Sequence, residues 1–220
     1  MKSVKTTLSM LAGLTLGLSA SLTYADKGMF DFSDDLLGRV EKKYGKPAVN
    51  RLKGLTELLK KEASANTSEE EKLKTVNDFF NQVEYFTDKV HWKKDDYWAT
   101  PFEKLTTNGG DCEDYAIAKY YALRELGIPD SKLRITYVKA VNWGQAHMVL
   151  SYFPKEGDIP LVLDNLRLTI DPADKRKDLI PIYSFNGDGL WVAKSRGVGK
   201  RLGNASKNKD WANLQNRVKQ

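Results

Sequence analysis

The sequence predicts an α+β domain in which N-terminal helices pack on an antiparallel sheet. Three observations indicate this class. Apolar residues recur at every third or fourth position before residue 127, they alternate with polar residues after residue 132, and short turns separate the alternating segments. The composition, 41% hydrophobic and 29% charged over 220 residues, is that of a globular chain. It excludes an intrinsically disordered chain, a collagen, a coiled coil and a polytopic membrane protein.

Residues 1–25 are expected to be a secretory signal peptide. Lys2 and Lys5 are followed by an uncharged, Leu-rich run that ends at Ala25, a small-residue cleavage site. Cleavage would leave Asp26 as the first residue of an exported chain. An uncleaved membrane anchor is the alternative, because the uncharged stretch is long enough to span a bilayer.

Three helices are predicted early in the remaining chain. Ser33 can cap the first, which Gly45 ends, and Pro47 suits the first turn of the second. A Ser or Thr followed closely by a Glu forms a capping box for the third helix. The candidates for that box are Thr67 or Ser68 with Glu70 or Glu71.

A fourth helix is predicted over residues 112–126, after a stretch at 91–107 that shows no period and is expected to be irregular. Asp111 can cap this helix, and Gly127 ends it. The helix carries Cys112, the one cysteine of the sequence, in its first turn.

Three strands follow, at residues 133–138, 146–153 and 161–166. A turn at residues 142–145 joins the first two. Because short turns connect the segments, we expect them to pair as antiparallel neighbours.

One domain is expected over residues 26–220, with its core at about 70–170 and a basic segment at 191–220. The basic segment holds eight Lys or Arg and one acid, whereas the complete chain has a formal net charge of +6. No nucleic-acid-binding motif accompanies this charge, and export argues against such a ligand. The alternatives are a solvated basic face and a docking surface for an acidic partner or anionic lipid.

Cys112 lies at a position that favours a thiolate. A helix N-terminus carries a partial positive charge and unpaired amides, which stabilise a thiolate and can bind an oxyanion. Gly109 and Gly110 would let a substrate backbone approach closely. In an exported chain, a lone cysteine is a reactive thiol, an intermolecular link or a buried bystander.

A thiolate nucleophile requires a base and a group that orients the base. His147 lies on the second predicted strand and Asp164 on the third, so pairing of these strands would bring the two side chains together. Singly, each residue also suits a structural role, as a buried histidine or a turn aspartate. Together with Cys112, they have the order found in papain-like and transglutaminase-like folds.

Three carboxylates, those of Asp111, Glu113 and Asp114, surround Cys112 in the sequence. Their charges should raise the pKa of the thiol and oppose formation of the thiolate. A bound hard cation would offset them, and clustered carboxylates with loop carbonyls are the ligands that calcium prefers. These three residues are therefore candidate ligands for a hard cation such as Ca2+, although they do not form an EF-hand loop.

Four segments resemble the bacterial transglutaminase-like cysteine proteinases, the LapG-type periplasmic proteases. The segments are Asp96–Glu103, Gly110–Ala116, Gln145–Leu150 and Leu163–Asn165. The resemblance is strong over about residues 70–170 and loose in the flanks. It implies a papain-like, transglutaminase-like α+β fold in the periplasm.

The resemblance also implies roles for individual residues. Cys112 is implied as the nucleophile, His147 as general base and then acid, and Asp164 as the group that orients it. Calcium dependence is implied with Asp111 and Glu113 as ligands, and the chemistry of the cluster adds Asp114, so we expect Ca2+ at these three residues. Trp98 can line the cleft or donate its indole N–H to the oxyanion, and it equally suits a packed aromatic under the loop.

The family cleaves an Ala-Ala-containing site near the N-terminus of large surface adhesins, which releases cells from a biofilm. An inner-membrane cyclic-di-GMP receptor sequesters the protease when the nucleotide is abundant. The resemblance implies both partners for this chain. Two alternatives to an endopeptidase remain: a transglutaminase-type acyl transferase, and a non-catalytic binding module that calcium orders.

Overall fold

The computed structural model describes residues 28–193 and 199–218. The predicted signal peptide, residues 1–25, lies outside the described residues, as do Lys194, Arg196 and Lys219 of the basic segment. Within the described ranges, no helix has the length and apolar character needed to cross a membrane.

Three N-terminal helices form as their capping signals predict. They are α1 (Asp34–Tyr44), α2 (Lys46–Ser64) and α3 (Glu69–Phe80). The Ser33 hydroxyl accepts the amide of Leu36 at 3.3 Å, which fixes the start of α1. Ser68 and Glu71 form the reciprocal capping box of α3, so the choice left open by the sequence falls on this pair.

The expectation of an irregular stretch over residues 91–107 is wrong at its C-terminal end. A helix, α5 (Pro101–Thr107), follows the short helix α4 (Asp88–His91). Thr100 accepts the Glu103 amide at 3.2 Å, and the Glu103 carboxylate accepts the Thr100 amide at 2.8 Å. This capping box was readable in the sequence, but the helix is too short to show an apolar period.

The loop expected before Cys112 pairs with another segment. Strand β1 (Glu84–Tyr85) lies parallel to β2 (Gly109–Gly110). Helix α6 (Cys112–Glu125) begins two residues later, with Asp111 as its N-cap residue. The predicted fourth helix is therefore confirmed, with its first turn held against the chain before α4.

Among the described residues, a seven-stranded antiparallel sheet follows α6, in the order β6-β5-β4-β3-β7-β8-β9. Its strands are β3 (Leu133–Ala140), β4 (Gln145–Tyr152), β5 (Leu161–Leu163), β6 (Asp171–Pro172), β7 (Leu179–Phe185), β8 (Leu190–Val192) and β9 (Lys200–Gly203). The three predicted strands are β3, β4 and β5, and β5 ends three residues earlier than expected. The sequence did not indicate β6 to β9, which are short or have one exposed face.

One hydrophobic core joins the helices to one face of the sheet, and its residues extend from Phe30 to Leu214. Helix α6 packs on β4 and β3. On β4, Met148 and Leu150 belong to this core, whereas Val149 packs with a small cluster on the opposite face. The alternation predicted for this strand is thus confirmed, and the C-terminal helix α7 (Lys209–Val218) closes the same core through Trp211.

Candidate active site

Cys112 lies in the first turn of α6, and its side chain contacts the Glu113 carboxylate and the Met148 backbone. Its thiol donates a hydrogen bond to Glu113 Oε2 at 3.0 Å. Burial, followed by the charges of Glu113 and Asp111, raises the pKa of Cys112 well above its usual value, and a hydrogen bond from the Met148 backbone opposes this rise. Without a cation the side chain is therefore a protonated thiol, as the crowding of acids in the sequence predicts.

His147 and Asp164 are in direct contact. His147 Nε2 lies 2.8 Å from Asp164 Oδ1, and the two residues are 3% and 1% exposed. Strands β4 and β5 pair antiparallel, with Leu150 opposite Leu163, which brings the ends of the two strands together. The sequence-based expectation that strand pairing joins these two side chains is therefore confirmed.

Strong hydrogen bonds determine the ionisation of Asp164. Burial alone would raise its pKa, but hydrogen bonds from His147, the Leu166 amide and Arg176 lower the pKa to about 2. Because the ionised carboxylate of Asp164 accepts a hydrogen bond from His147 Nε2, the proton of the neutral imidazole stays on Nε2. This leaves Nδ1 of His147 free to accept a proton.

The strand that carries His147 also contacts the cysteine. Met148, the next residue in β4, supplies the backbone hydrogen bond to Cys112. The structure thus joins His147 to Asp164 directly and places Cys112 against the residue that follows His147. On the outer side, the exposed Trp143 ring lies edge-on to His147, with ring centroids 6.4 Å apart.

Arg176 is a site residue that the sequence did not indicate. Its Nη2 donates to Asp164 Oδ2 at 2.7 Å, and the side chain is buried. It lies within the charged run Asp174–Asp178, which in a sequence is typical of a solvated turn. Only the three-dimensional contact reveals its partner.

Five carboxylates converge near Cys112. Asp111 and Glu113 lie together with the thiol, Asp88 lies with Asp111 and Asp114, and Asp88 also lies with Asp96 and Glu113. In each group, ligand atoms are within 4.8 Å of one another. The three predicted metal ligands are therefore close together, and Asp88 and Asp96 are additions. Asp88 resembles an ordinary first-turn acid of α4, so no sequence signal marked it.

The donor set of this cluster fits a hard cation. Burial and neighbouring carboxylates raise the pKa of Asp111 to about 9 and that of Asp114 to about 8. Oδ1 of Asp88 and Oδ1 of Asp111 are buried and accept no hydrogen bond from the described residues. Buried carboxylate oxygens that repel one another and lack donors are the arrangement that a multivalent cation stabilises.

Asp114 has a second, structural role. Its Oδ1 accepts the Ala99 amide at 2.6 Å, and its Oδ2 accepts the Asp111 amide at 3.3 Å. Gly110 has φ +154°, and a Cβ there would lie 2.3 Å from Asp114 Oδ2. The expectation that this glycine leaves room for a substrate is therefore wrong, because the Asp114 side chain fills the space.

Two buried lysines lie close to this machinery. Lys104 is fully buried, and its Nζ lies 3.2 Å from the centroid of the Tyr115 ring. Burial lowers its pKa to about 7, although the charges of Asp114 and Asp111 act to raise it. Lys119 of α6 is also fully buried, and the charge of Asp164 acts to raise its pKa against burial. Burial likewise lowers the pKa of Lys119 to about 7, so both amines lose their protons more readily than an exposed lysine does.

Trp98 lines a groove beside the candidate site. The groove has a volume of about 570 Å³, and its walls include Tyr137, Met148 and Tyr183. The indole N–H of Trp98 bonds to Asp96, and its ring stacks on Phe185 with centroids 5.6 Å apart. Since the indole N–H is engaged, the structure is consistent with the cleft-lining and packing interpretations and gives no support to oxyanion binding.

The comparisons with known proteins agree with this geometry. The family whose sequence model matches residues 54–193 is described as "Bacterial transglutaminase-like cysteine proteinase BTLCP". The structure is also similar to EGTA-treated LapG of Legionella pneumophila, with a TM-score of 0.73 and 38% identity over 85% of this chain and 98% of that chain. No curated protein gives a sequence match.

Two further structures of Legionella pneumophila LapG are similar. The calcium-bound form has a TM-score of 0.71 and 38% identity, over 85% of this chain and 99% of that chain. Another LapG structure has a TM-score of 0.72 and 37% identity, over 85% and 98%. Both the fold and the family of the chain follow from these matches.

Proposed function

We propose a mechanism for this chain from one premise: it belongs to the bacterial transglutaminase-like cysteine proteinase family. The proposal is a calcium-dependent cysteine endopeptidase in which Cys112, His147 and Asp164 are the catalytic residues. The observation that carries it is the buried hydrogen bond between His147 and Asp164, which is 2.8 Å long. The backbone of Met148, the residue after His147 in β4, contacts Cys112.

In the first half of the reaction, His147 Nδ1 takes the proton of the Cys112 thiol. The Sγ then attacks the carbonyl carbon of the scissile peptide, and the carbonyl π electrons move to oxygen. The amides at the N-terminus of α6 are placed to stabilise this oxyanion. When the tetrahedral intermediate collapses, the C–N bond breaks, and His147 returns its proton to the leaving amine.

In the second half, water attacks the thioester that Cys112 now carries. His147 Nδ1 accepts a proton from the water, and the C–S bond breaks to release the acid product. The proton then restores the thiol. Throughout, Asp164 stays ionised and holds Nε2–H, which stabilises the imidazolium that forms twice in each cycle.

Calcium is the cation we propose for the carboxylate cluster. Asp111 and Glu113 would bind it, with Asp114, Asp88 and Asp96 within reach. When bound, the ion supplies positive charge beside Cys112, which offsets the carboxylates that oppose a thiolate. A calcium-bound and an EGTA-treated structure of the similar Legionella protein support this choice.

The biological setting is proposed from the resemblance of four sequence segments to the LapG-type proteases. The segments are Asp96–Glu103, Gly110–Ala116, Gln145–Leu150 and Leu163–Asn165. The chain would be exported to the periplasm, and its signal peptide would be cleaved after Ala25. There it would cleave the N-terminal region of a large surface adhesin and release cells from a biofilm. An inner-membrane cyclic-di-GMP receptor would sequester it when the nucleotide is abundant. The domain would cover residues 26–220.

The test uses residues 26–220 and a recombinant N-terminal adhesin fragment from the same source. With calcium, we expect two shorter products by mass spectrometry, and with EGTA we expect none. Cys112→Ala and His147→Ala should abolish cleavage while the circular dichroism spectrum stays unchanged. Asp111→Asn should raise the calcium requirement, whereas Asp95→Asn, an exposed aspartate nearby, should not.

Two outcomes would replace this proposal. A product cross-linked through Gln and Lys side chains would indicate an acyl transferase. Binding of the fragment that is lost in Asp111→Asn but insensitive to Cys112→Ala, with no cleavage by any variant, would indicate a calcium-ordered binding module.

A further inference from the structure

We infer that Arg176 is a positioning residue of the active site, which together with Asp178 holds the Asp164 carboxylate in the orientation and charge state that fix the His147 tautomer. The inference rests on the proposed function, because it concerns how the catalytic imidazole is held. It is carried by a continuous series of hydrogen bonds from the half-buried Asp178 through the buried Arg176 and Asp164 to His147.

The Asp164 carboxylate is held at both oxygens. Oδ1 accepts His147 Nε2 at 2.8 Å and the Leu166 amide at 3.0 Å, and Oδ2 accepts Arg176 Nη2 at 2.7 Å. The main-chain carbonyl of Asp164 accepts the Asn81 side chain at 2.9 Å, which ties the backbone to α3. Rotation of the carboxylate would break at least one of these bonds, so the imidazole faces an acceptor in a fixed plane.

Arg176 is itself held, and therefore can hold its partner. Its side chain is 3% exposed, and its Nε donates to Asp178 Oδ1 at 3.0 Å while Nη2 donates to Asp178 Oδ2 at 2.8 Å. The Asp178 carbonyl accepts the Val141 amide at 2.8 Å. We call the hydrogen-bonded series Asp178–Arg176–Asp164 the clamp. Val141 begins the turn that leads from β3 into β4, so the clamp is attached to the hairpin that carries His147.

Charge explains why an arginine is needed here. A buried carboxylate without a cation would tend to take up a proton, and a protonated Asp164 would compete with His147 for the role of donor. A guanidinium remains charged at every relevant pH and donates in a fixed plane. The buried Lys119, which also interacts with Asp164, lies on α6 and is not hydrogen-bonded to it.

A nearby arginine provides a matched control. Arg167 lies on the preceding connection, between β5 and β6, and pairs with Asp171 at 2.9 Å. Its side chain is 48% exposed, and none of its described contacts involves Asp164 or His147. Replacing Arg167 therefore removes an arginine ion pair without removing any described hydrogen bond of Asp164 or Arg176, although the Arg167 charge acts on the Asp178 carboxylate from a distance.

The experiment measures alkylation of Cys112 by iodoacetamide at pH 7 with saturating calcium, together with the ¹⁵N spectrum of His-labelled protein. We expect Arg176→Gln to slow alkylation by about 10- to 100-fold, by analogy with the loss that follows removal of a hydrogen-bond partner that orients a metal-bound histidine. The Nε2–H signal of His147 should weaken or broaden in the same variant. Arg167→Gln should match the wild-type protein in both measurements.

Two variants keep the test valid if Arg176→Gln is poorly folded. Arg176→Lys keeps the charge but not the planar fork, and Asp178→Asn loosens the guanidinium while leaving it in place. Both should give intermediate alkylation rates. In Arg176→Ala, added guanidinium ion should restore part of the rate, which a purely structural role would not produce.

The outcomes separate this inference from the proposed function. If Arg176→Gln, Arg176→Lys and Asp178→Asn alkylate at the wild-type rate and keep the His147 signal, while His147→Ala is slow, the inference is wrong and the proposed base remains. If His147→Ala itself alkylates at the wild-type rate, the proposed role of His147 is wrong.

Discussion

Asp164 is the residue at which three parts of the molecule meet: the end of β5, the imidazole on β4 and the guanidinium of the β6–β7 connection. Its carboxylate is almost fully buried yet ionised, because each oxygen accepts a strong hydrogen bond. Such a group makes protein stability depend on pH in a direction that can be derived.

The pKa of Asp164 is lowered to about 2, whereas an aspartate in an unfolded chain has a pKa of about 3.9. Its contribution to stability is therefore fully present above about pH 4 and is lost as the pH falls towards 2. We expect the free energy of unfolding of the wild-type protein to exceed that of Asp164→Asn at pH 7. This difference should shrink as the pH falls from about 4 to 2.

Urea unfolding at pH 7, 4 and 2.5 measures this difference. Asp35→Asn is the control, because Asp35 is 81% exposed in a surface ion pair on α1. A gap between wild type and Asp164→Asn that stays constant over this range would contradict the assignment of Asp164 as an ionised, hydrogen-bonded group.

At this scale, sequence analysis places a residue in its correct element where the residue type is rare and its position is marked by a helix start or a strand. Cys112 and His147 are such residues, and strand pairing then selects Asp164. Asp88, Asp96 and Arg176 could not be found this way. Charged residues are common in turns and first helical turns, and their burial depends on contacts between segments distant in sequence.

At the scale of elements, N-terminal caps were the most reliable signals. Ser33 caps α1 as predicted, and Ser68, one of the two predicted candidates, caps α3. The omitted helix α5 has the same type of capping box as α3, at Thr100 and Glu103. Periodicity failed for α5 because seven residues complete only two turns. It failed for β7 because Ile180 and Ile182 face outward and are exposed.

The capping box of α5 leads to a stability prediction. Thr100→Ala removes the side chain that accepts the Glu103 amide, so we expect a loss of about 1 kcal/mol in the free energy of unfolding. Thr87 is the matched control, because it is the N-cap residue of α4 but its side chain makes no capping hydrogen bond. Thr87→Ala should change stability much less, as measured by urea unfolding. Equal losses would contradict the cap assignment.

The C-terminal helix α7 is held by Trp211, which is fully buried and donates its indole N–H to the Asn186 carbonyl at 3.0 Å. Its ring contacts Tyr120 and Phe185. We expect Trp211→Ala to lower the free energy of unfolding by about 3–5 kcal/mol, since it removes a large buried side chain.

Trp211→Phe separates packing from hydrogen bonding in this helix. It keeps an aromatic ring but leaves the Asn186 carbonyl without its donor, and we expect a smaller loss of about 1–3 kcal/mol. Thermal unfolding followed by circular dichroism measures both variants. A Trp211→Ala protein as stable as the wild type would show that α7 does not belong to the core.

At the scale of the whole molecule, the carboxylate cluster links α4, the segment that follows α4 and the start of α6. Asp88 comes from α4, Asp96 from the following loop, and Asp111 and Glu113 from the start of α6. A cation bound there would stabilise the folded chain by mass action. At 100 times its Kd, calcium should raise Tm by about 5–10 °C.

Differential scanning calorimetry with calcium and with EGTA measures this shift. Asp88→Asn should reduce the shift, because it removes an oxygen that is buried and without a hydrogen-bond donor among the described residues. Asp95→Asn should leave the shift unchanged. If Asp88→Asn and wild-type protein respond equally to calcium, Asp88 lies outside the metal site.

The hydrogen bond from the Cys112 thiol to Glu113 has a consequence for the chemical durability of the protein. Peroxides oxidise a thiolate to sulfenic acid far faster than they oxidise a thiol, and further steps beyond sulfenic acid are irreversible. A cysteine kept protonated by neighbouring carboxylates is therefore resistant to such damage. In the proposed mechanism, the contact that opposes formation of the thiolate would therefore also protect the sulfur from oxidation until a cation offsets the carboxylates.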